Sequence, residues 1–463
     1  MFRNRSRIET TIWATLVLAG CFGVWRILPS SFRQQIEPIA HATSTYIVNT
    51  TDDHDDGVCN AVDCTLREAI NAANALVNSN TSPRNINFSI PGSGVHTINI
   101  TSPLPPLILS QISVNGPTLN GVPLIEINGA NAGPGANGLS FASGVSLSGF
   151  SGIHNLIINR FSGYGINIGT EGNLIDGCFI GTNADGTAAA PNGAGGIRFN
   201  AALGGIERNV ISGNRGDGID VVFGNSTIQG NLIGTNATGT AAIPNTGDGI
   251  KIENNFRPAT IGSTATGSGN IISGNGRIGI HILGSSGAVL VQSNFIGTDL
   301  KGTVAIPNQV GIAIEGTADF NTISGNVVSG NRSDGIEVNT NRNTFQGNFI
   351  GTNLAGAAAV PNGGDGILIK PGSNILGSAS NNAIGGTATG ARNIISGNGG
   401  VGIDVTAGIG TLVLGNFIGT NVSGTAKIPN ASGVVINGSA NNTIGGTTAA
   451  ARNIISGNVR TGV

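Results

Sequence analysis

The sequence predicts an all-β solenoid, a parallel β-helix of stacked coils closed at its N-terminal end by a short capping helix. Two recurring phrases and their spacing carry this reading. The first is an Asn, two apolar residues, two small residues and then Asn or Asp. It reads Asn209-Val-Ile-Ser-Gly-Asn214 and returns from Asn231, Asn270, Asn294, Asn326, Asn348, Asn393, Asn416 and Asn453. The second, Gly-Ile-x-Ile or a close variant, begins at Gly165, Gly196, Gly218, Gly249, Gly279, Gly311, Gly335, Gly366, Gly402 and Gly433. One of each per unit, with 22 to 36 residues between successive Gly phrases, marks a chain in which each coil is one repeat.

From the N-terminus, residues 1–42 read as an export signal or a membrane anchor. Arg3, Arg5 and Arg7 precede the apolar run Thr11 to Val24, and Ala40-His41-Ala42 has the small-x-small form of a cleavage site. Leu18-Ala19-Gly20-Cys21 resembles a lipidation box, but Phe22 to Leu28 stays mostly apolar where such a segment turns polar. Cleavage after Ala42 therefore ranks first, an uncleaved anchor second and lipidation of Cys21 third. Each of these places the repeats outside the cytoplasm.

Residues 43–80 depart from the repeat and read as a cap. Thr45-Tyr-Ile-Val-Asn-Thr predicts a first strand, and Thr65 with Glu68 three residues on forms a capping box that starts a helix. Leu66, Ala69, Ile70, Ala73 and Leu76 share one helical face, which suits a helix laid across the open core of the first coil. Cys59 and Cys64 flank a turn, and export permits a disulfide, so a local bridge is preferred over a metal site. Asp52, Asp53, Asp55 and Asp56 are candidate Ca²⁺ ligands, weighed against a solvated acidic turn, and no other cofactor is expected.

The body is residues 81–463. Each phrase is too short for a helix, and its Ile and Val between Gly and Asn read as a short strand that must stack on its copies in neighbouring coils. Gly and Asn tolerate positive φ and suit the corners. Recurring Asn residues should also bond along the stack, in one column through Asn209, Asn231, Asn270 and Asn294 and a second through Asn214, Asn236 and Asn275. Asp299 interrupts the second column, and Cys178 takes an Asn position in the first as a small buried residue. Loops such as Ala237-Thr-Gly-Thr-Ala-Ala-Ile-Pro-Asn245 also follow Asn183, Asp299, Asn353 and Asn421, predicting five loops at one corner, two coils apart. Insertions such as 385–393 and 445–453 predict a second ridge. The final strand has only begun at Val463, so the sequence predicts a fragment, or a last coil that frays or pairs with another molecule.

With 76 Gly, 39% hydrophobic and 10% charged residues among 463, the chain is too apolar and periodic to be disordered. A net charge of −2 gives no electrostatic case for nucleic acid. Trp13 and Trp25 lie in the leader and only Tyr46 and Tyr164 follow, so stacking platforms for sugars are scarce.

Cys64-Thr-Leu-Arg-Glu-Ala69 resembles the motif that names the CSLREA domain, with Thr65 where that name has Ser. The resemblance implies an exported bacterial surface or secreted protein with right-handed parallel β-helix repeats of the pectin-lyase-like superfamily. That superfamily includes lyases, polygalacturonases, epimerases and non-enzymatic adhesins, so the resemblance implies no single activity.

Chemistry requires ionisable groups that converge on one outward face. The third residue of each Gly phrase should point outward, giving the column Asn167, Arg198, Asp220, Lys251, His281, Ala313, Glu337, Leu368, Asp404 and Val435. The residue before the Gly adds Asp217, Asp248, Asp334 and Asp365. Asp217, Asp220, Asp248, Lys251 and His281 are therefore the catalytic candidates, for Ca²⁺-assisted β-elimination or carboxylate-pair hydrolysis. A solvated face with modest cross-strand ion pairs is the reading preferred over a site. The polygalacturonase residue set and zinc, phosphate-loop and triad patterns are missing from the sequence, and Arg215-Gly216-Asp217 is too short a match to carry adhesion. The function expected is a structural, adhesive or binding role at the cell surface with polysaccharide or surface partners. The alternative is a polysaccharide lyase or glycoside hydrolase on the Asp217 to His281 face, and a non-catalytic carbohydrate-binding module ranks third.

Overall fold

The computed structural model describes residues 44–463 apart from 76–82, 110, 143–149, 254–258, 285–287, 372–378 and 407. The expected leader 1–42, with Cys21, and the expected helical contact Leu76 lie outside the described residues. The body is a parallel β-helix, as the two phrases predict. Each regular coil contributes three short strands. One ladder holds the Gly phrase, as in Ile250–Ile252, Ile278–Ile282 and Val310–Ile314. A second holds strands such as Thr260–Ile261, Leu290–Gln292 and Thr322–Ser324. The third is a 13-stranded sheet running in chain order from His96–Asn99 to Ile454–Ile455, which from Val210–Ile211 onward contains the apolar pair of the Asn phrase. The first two ladders merge into one 23-stranded sheet because Gly195–Glu207 and Asp217–Gln229 run unbroken through the corner between them.

The two phrases account for two strands per coil, and the middle strand is an addition. Segments such as Thr322–Ser324, Thr344–Gln346 and Leu412–Leu414 each send one residue inward, Ile323, Phe345 and Val413, all fully buried. Three residues with one buried side chain of varying type leave no recurring phrase. The core itself is columnar, with Ile219, Ile250, Ile280 and Ile312 stacked in register at zero exposure. Glycine opens the phrase because the neighbouring coil passes too close for a side chain. A Cβ on Gly249 would lie 2.6 Å from the Gly279 carbonyl oxygen.

Ladders of buried asparagine hold the corners. Asn209 Nδ2 donates to the Ile175 carbonyl at 2.9 Å and to Asn231 Oδ1 at 3.0 Å, and that same Oδ1 accepts the Asn209 backbone N–H. The pattern repeats through Asn270, Asn294, Asn326, Asn348, Asn393, Asn416 and Asn453. The second column differs from the sequence reading. It runs Asn192, Asn214, Asn245, Asn275, Asn308 and onward, taking the Asn that ends each long loop rather than the one that begins it. Asn236 and Asp299 instead close their loops, each accepting two backbone N–H groups four and five residues on. A third column, Asn321, Asn343 and Asn382, is new. Positive φ falls on the glycines and on residues just before a ladder Asn, such as Arg208 (φ 52) and Ser293 (φ 57), while the ladder Asn residues supply the amides.

The five long loops leave every second strand of the third sheet, following Phe179–Ile180, Leu232–Ile233, Phe295–Ile296, Phe349–Ile350 and Phe417–Ile418. Successive loops touch, with Ala237 N donating to the Gly186 carbonyl and Val422 N to that of Gly356.

At the N-terminal end, helix α1 (Leu66–Ala75) lies on the first coils and buries Leu66, Ala69, Ile70 and Ala73. Its capping box closes in both directions: Thr65 N donates to Glu68 Oε2 at 2.8 Å, and Glu68 N donates to Thr65 Oγ1 at 3.2 Å. Cys59 and Cys64 are disulfide-bonded. Cys178 is a buried free thiol, and burial pushes its pKa up to about 12. Among the described residues no helix is long and apolar enough to cross a membrane.

Candidate functional site on the long sheet

The ladder of Gly phrases places its third residues in one row. Asn167 pairs with Arg198, Arg198 with Asp220, Asp220 with Lys251 and Lys251 with His281, and the row continues through Ala313, Glu337, Leu368 and Asp404 to Val435. Period-two alternation turns these side chains away from the Ile core. The middle of the row is nevertheless not a solvated face. Asp220 and His281 are 6% and 7% exposed, Lys251 between them is partly buried, and Asp248 beside the row is 1% exposed.

The five candidates fall into separate roles. Asp217 and Asp248 staple coils together: Asp217 Oδ1 accepts the Asp248 N–H at 2.7 Å, and Asp248 Oδ1 accepts that of Ile278 at 3.1 Å. Asp334 and Asp365 do the same for Asp365 and Val401. The aspartate before each of these four Gly phrases is therefore a corner bond, which accounts for its recurrence without any substrate. His281 sits between two carboxylates, its Nδ1 2.8 Å from Asp248 Oδ2 and its Nε2 3.1 Å from Glu315 Oε2. Burial alone would lower the His281 pKa, but these hydrogen bonds outweigh it and raise it to about 9. Lys251 is also partly desolvated, yet its bond to Glu253 holds its pKa above the usual lysine value. Their carboxylate partners thus favour the charged form of both side chains near neutral pH.

Asp220 is different. One oxygen, Oδ2, accepts the Tyr164 hydroxyl at 3.4 Å, and the other, Oδ1, is buried with no hydrogen-bond partner among the described residues. Burial, and then the nearby Glu253 carboxylate, raise its pKa above the ordinary carboxylate value. Burial and the same aspartate raise the Tyr164 pKa, and the Arg198 guanidinium lies 5.8 Å from the centre of the Tyr164 ring. Tyr164 precedes the phrase that contains Asn167, and its proximity to Asp220 two coils away could be read only from the register. Further along, Lys370 bonds Glu337 and lies 3.5 Å from Glu315, ties that the sequence reading missed because Lys370 and Glu315 lie outside the phrase. At Asp334, burial and then the charges of Asp365 and Glu337 raise the pKa to about 6.

The acidic run of the cap does not gather into one cation site. Asp53 is taken by Arg67 at 2.8 Å and by the Thr101 backbone N–H and hydroxyl. Asp55 accepts from Gly57 N and Asn71 Nδ2, Asp56 accepts from Val58 N, and Asp52 is exposed. The residues here that do converge are His54, Asp63 and Glu68.

Comparison with known proteins agrees with this architecture. A right handed beta helix region matches residues 136–296. No curated protein matches the sequence. Among solved structures, the A-module of the Azotobacter vinelandii mannuronan C-5 epimerase AlgE6 is 14% identical, with a TM-score of 0.54 over 90% of this chain and 99% of that one. The A-module of AlgE4 from the same organism is 15% identical, with a TM-score of 0.46 over 85% of this chain and 95% of that one. Tailspike protein 3 of bacteriophage CBA120 is 11% identical, with a TM-score of 0.44 over 84% of this chain and 61% of that one. At these identities the likeness is one of fold, and the fold is a right-handed parallel β-helix.

Proposed function

We propose that this right-handed β-helix protein is exported and binds a hydroxyl-rich polysaccharide along the polar row of its long sheet, in a structural or adhesive role rather than a catalytic one. One observation carries the reading: three cations on this face, His281 and Lys251 in the row and Lys370 beside it, are already held by fixed carboxylates, His281 by Asp248 and Glu315, Lys251 by Glu253, and Lys370 by Glu337. Such a surface offers a stiff, repeating set of hydrogen-bonding groups, with its histidine and lysines tied to carboxylates rather than left as neutral bases. The export reading is supported by the basic then apolar leader and by the CSLREA-like Cys64 to Ala69 motif. A second reading, a lyase, hydrolase or epimerase, is favoured at one point only, the partnerless Asp220 oxygen beside Tyr164, Arg198 and Lys251.

Incubation with a panel of neutral and acidic polysaccharides, with and without Ca²⁺, tests both. Mannuronan belongs in the panel because the AlgE6 A-module is named for it. The expected result is retention on a polysaccharide column with no new reducing ends, unsaturated products or inverted sugars by NMR. Product that disappears in Asp220→Asn with folding intact would replace this reading by the enzymatic one, and failure to bind any member would end the binding reading.

A further inference from the structure

The cap contains a cluster that the polar row does not involve. His54 Nε2 lies 3.0 Å from Asp63 Oδ2 and 3.7 Å from Glu68 Oε1, and the three donor atoms all lie within 4.8 Å of one another. Donors bound to one zinc ion at about 2.1 Å in a tetrahedral arrangement are separated by about 3.4 Å, so this spacing already approximates a coordination shell. Each donor is positioned by a contact that does not depend on the others. The His54 carbonyl accepts the Thr65 hydroxyl at 2.9 Å. Asp63 is fixed by its backbone N–H on Asn60 Oδ1 at 3.1 Å and its carbonyl on Asn60 N. Glu68 is set by the capping box and by Asp56 N, which donates to Oε1 at 2.9 Å and still leaves that oxygen a lone pair.

Charge points the same way. The Glu68 side chain is 1% exposed, yet among the described residues its only ion-pair partner is His54, because Arg67 turns to Asp53. With Asp56 and Asp63 nearby, a buried carboxylate stands among like charges, and a cation at this point is favoured. The His54 and Asp63 side chains are 42% and 40% exposed, so the cluster is open to solvent on one side. We propose that His54, Asp63 and Glu68 form a divalent transition-metal site, zinc foremost, that ties the acidic loop to the start of α1. One imidazole with two carboxylates selects a first-row ion over Ca²⁺ or Mg²⁺, and water completes the coordination.

Isothermal titration of the metal-stripped full chain, prepared without a polyhistidine tag, tests this with zinc chloride and then calcium chloride as titrants. The expected result is one zinc per chain, bound at least about tenfold more weakly by His54→Ala and by Asp63→Asn, and unchanged in Asp52→Asn. Zinc should raise the Tm of the parent and of Asp52→Asn only. Both altered side chains project partly into solvent, and either variant alone decides the outcome. No zinc binding by the parent, an affinity equal to the parent's in either variant, or tighter binding of calcium than of zinc would overturn the proposal.

Discussion

The asparagine ladders are read most directly at single residues. Asn294 has no spare valence: its Nδ2 donates to the carbonyls of Ile261 and Gln292 and to Asn326 Oδ1, while its Oδ1 accepts from the backbone and side chain of Asn270. Asn294→Ala leaves buried partners unsatisfied on both neighbouring coils and should lower stability by about 1 to 3 kcal/mol in urea titration. An unchanged midpoint would remove the ladder from the account of stability. His281 makes a pH-dependent contribution of defined sign. Its folded pKa, about 9, stands above the ordinary value of 6.5. The stabilisation is therefore complete below about pH 6.5 and is lost as pH rises through 9. Thermal melts between pH 6 and pH 10 should show the Tm falling, and His281→Gln should flatten that part of the profile. The outward row was legible in the sequence because a strict period of two fixes which side chains face out. The role of Asp217 and Asp248 was not, since a carboxylate that accepts the N–H of the next coil looks identical in sequence to one that awaits a ligand.

At the scale of the element, the long loops show what local pattern can and cannot assign. Each begins and ends with an amide or carboxylate, and both ends fit a corner equally well by type. Register decides: Asn245 is fully buried and joins Asn214 to Asn275, whereas Asn236 is only partly buried and folds its own loop. Asn245→Ala should therefore cost about 1 to 3 kcal/mol, and Asn236→Ala about 0.5 to 1.5 kcal/mol, because its released N–H groups reach water. Equal losses by chemical denaturation would contradict the assignment. The capping helix was legible because its signal is local, Thr65 and Glu68 at fixed spacing with an apolar face. The middle strand escaped because its single inward residue per coil has no partner in the same segment to make a pattern.

Over the body from Ser44 to Val463, thirteen strands of one sheet at about 4.8 Å per coil predict a solenoid roughly 60 Å long. Far-UV circular dichroism should be dominated by strand, and a spectrum dominated by helix would contradict the fold. Each coil pairs its strands only with those of its neighbours, so stability is largely a sum of coil and junction contributions rather than the property of one centre. The alternation of looped and loopless coils then makes chain length a quantised variable whose natural step is two coils. Equivalent backbone positions recur at Thr298 and Thr352, each buried and each bridged to its own loop. Excising 299–352, so that Thr298 runs into Asn353, removes one full period: Asn294 would meet Asn393, Asn275 would meet Asn362, and the remaining loops would still alternate. This shortened chain should fold with the parent's spectrum. Deletion of a single loopless coil should not, because two looped coils would then be adjacent and their protrusions would compete for one space. A gene for such a protein can lengthen or shorten by recombination in this unit without disturbing any corner, which makes reach along the axis adjustable independently of surface chemistry.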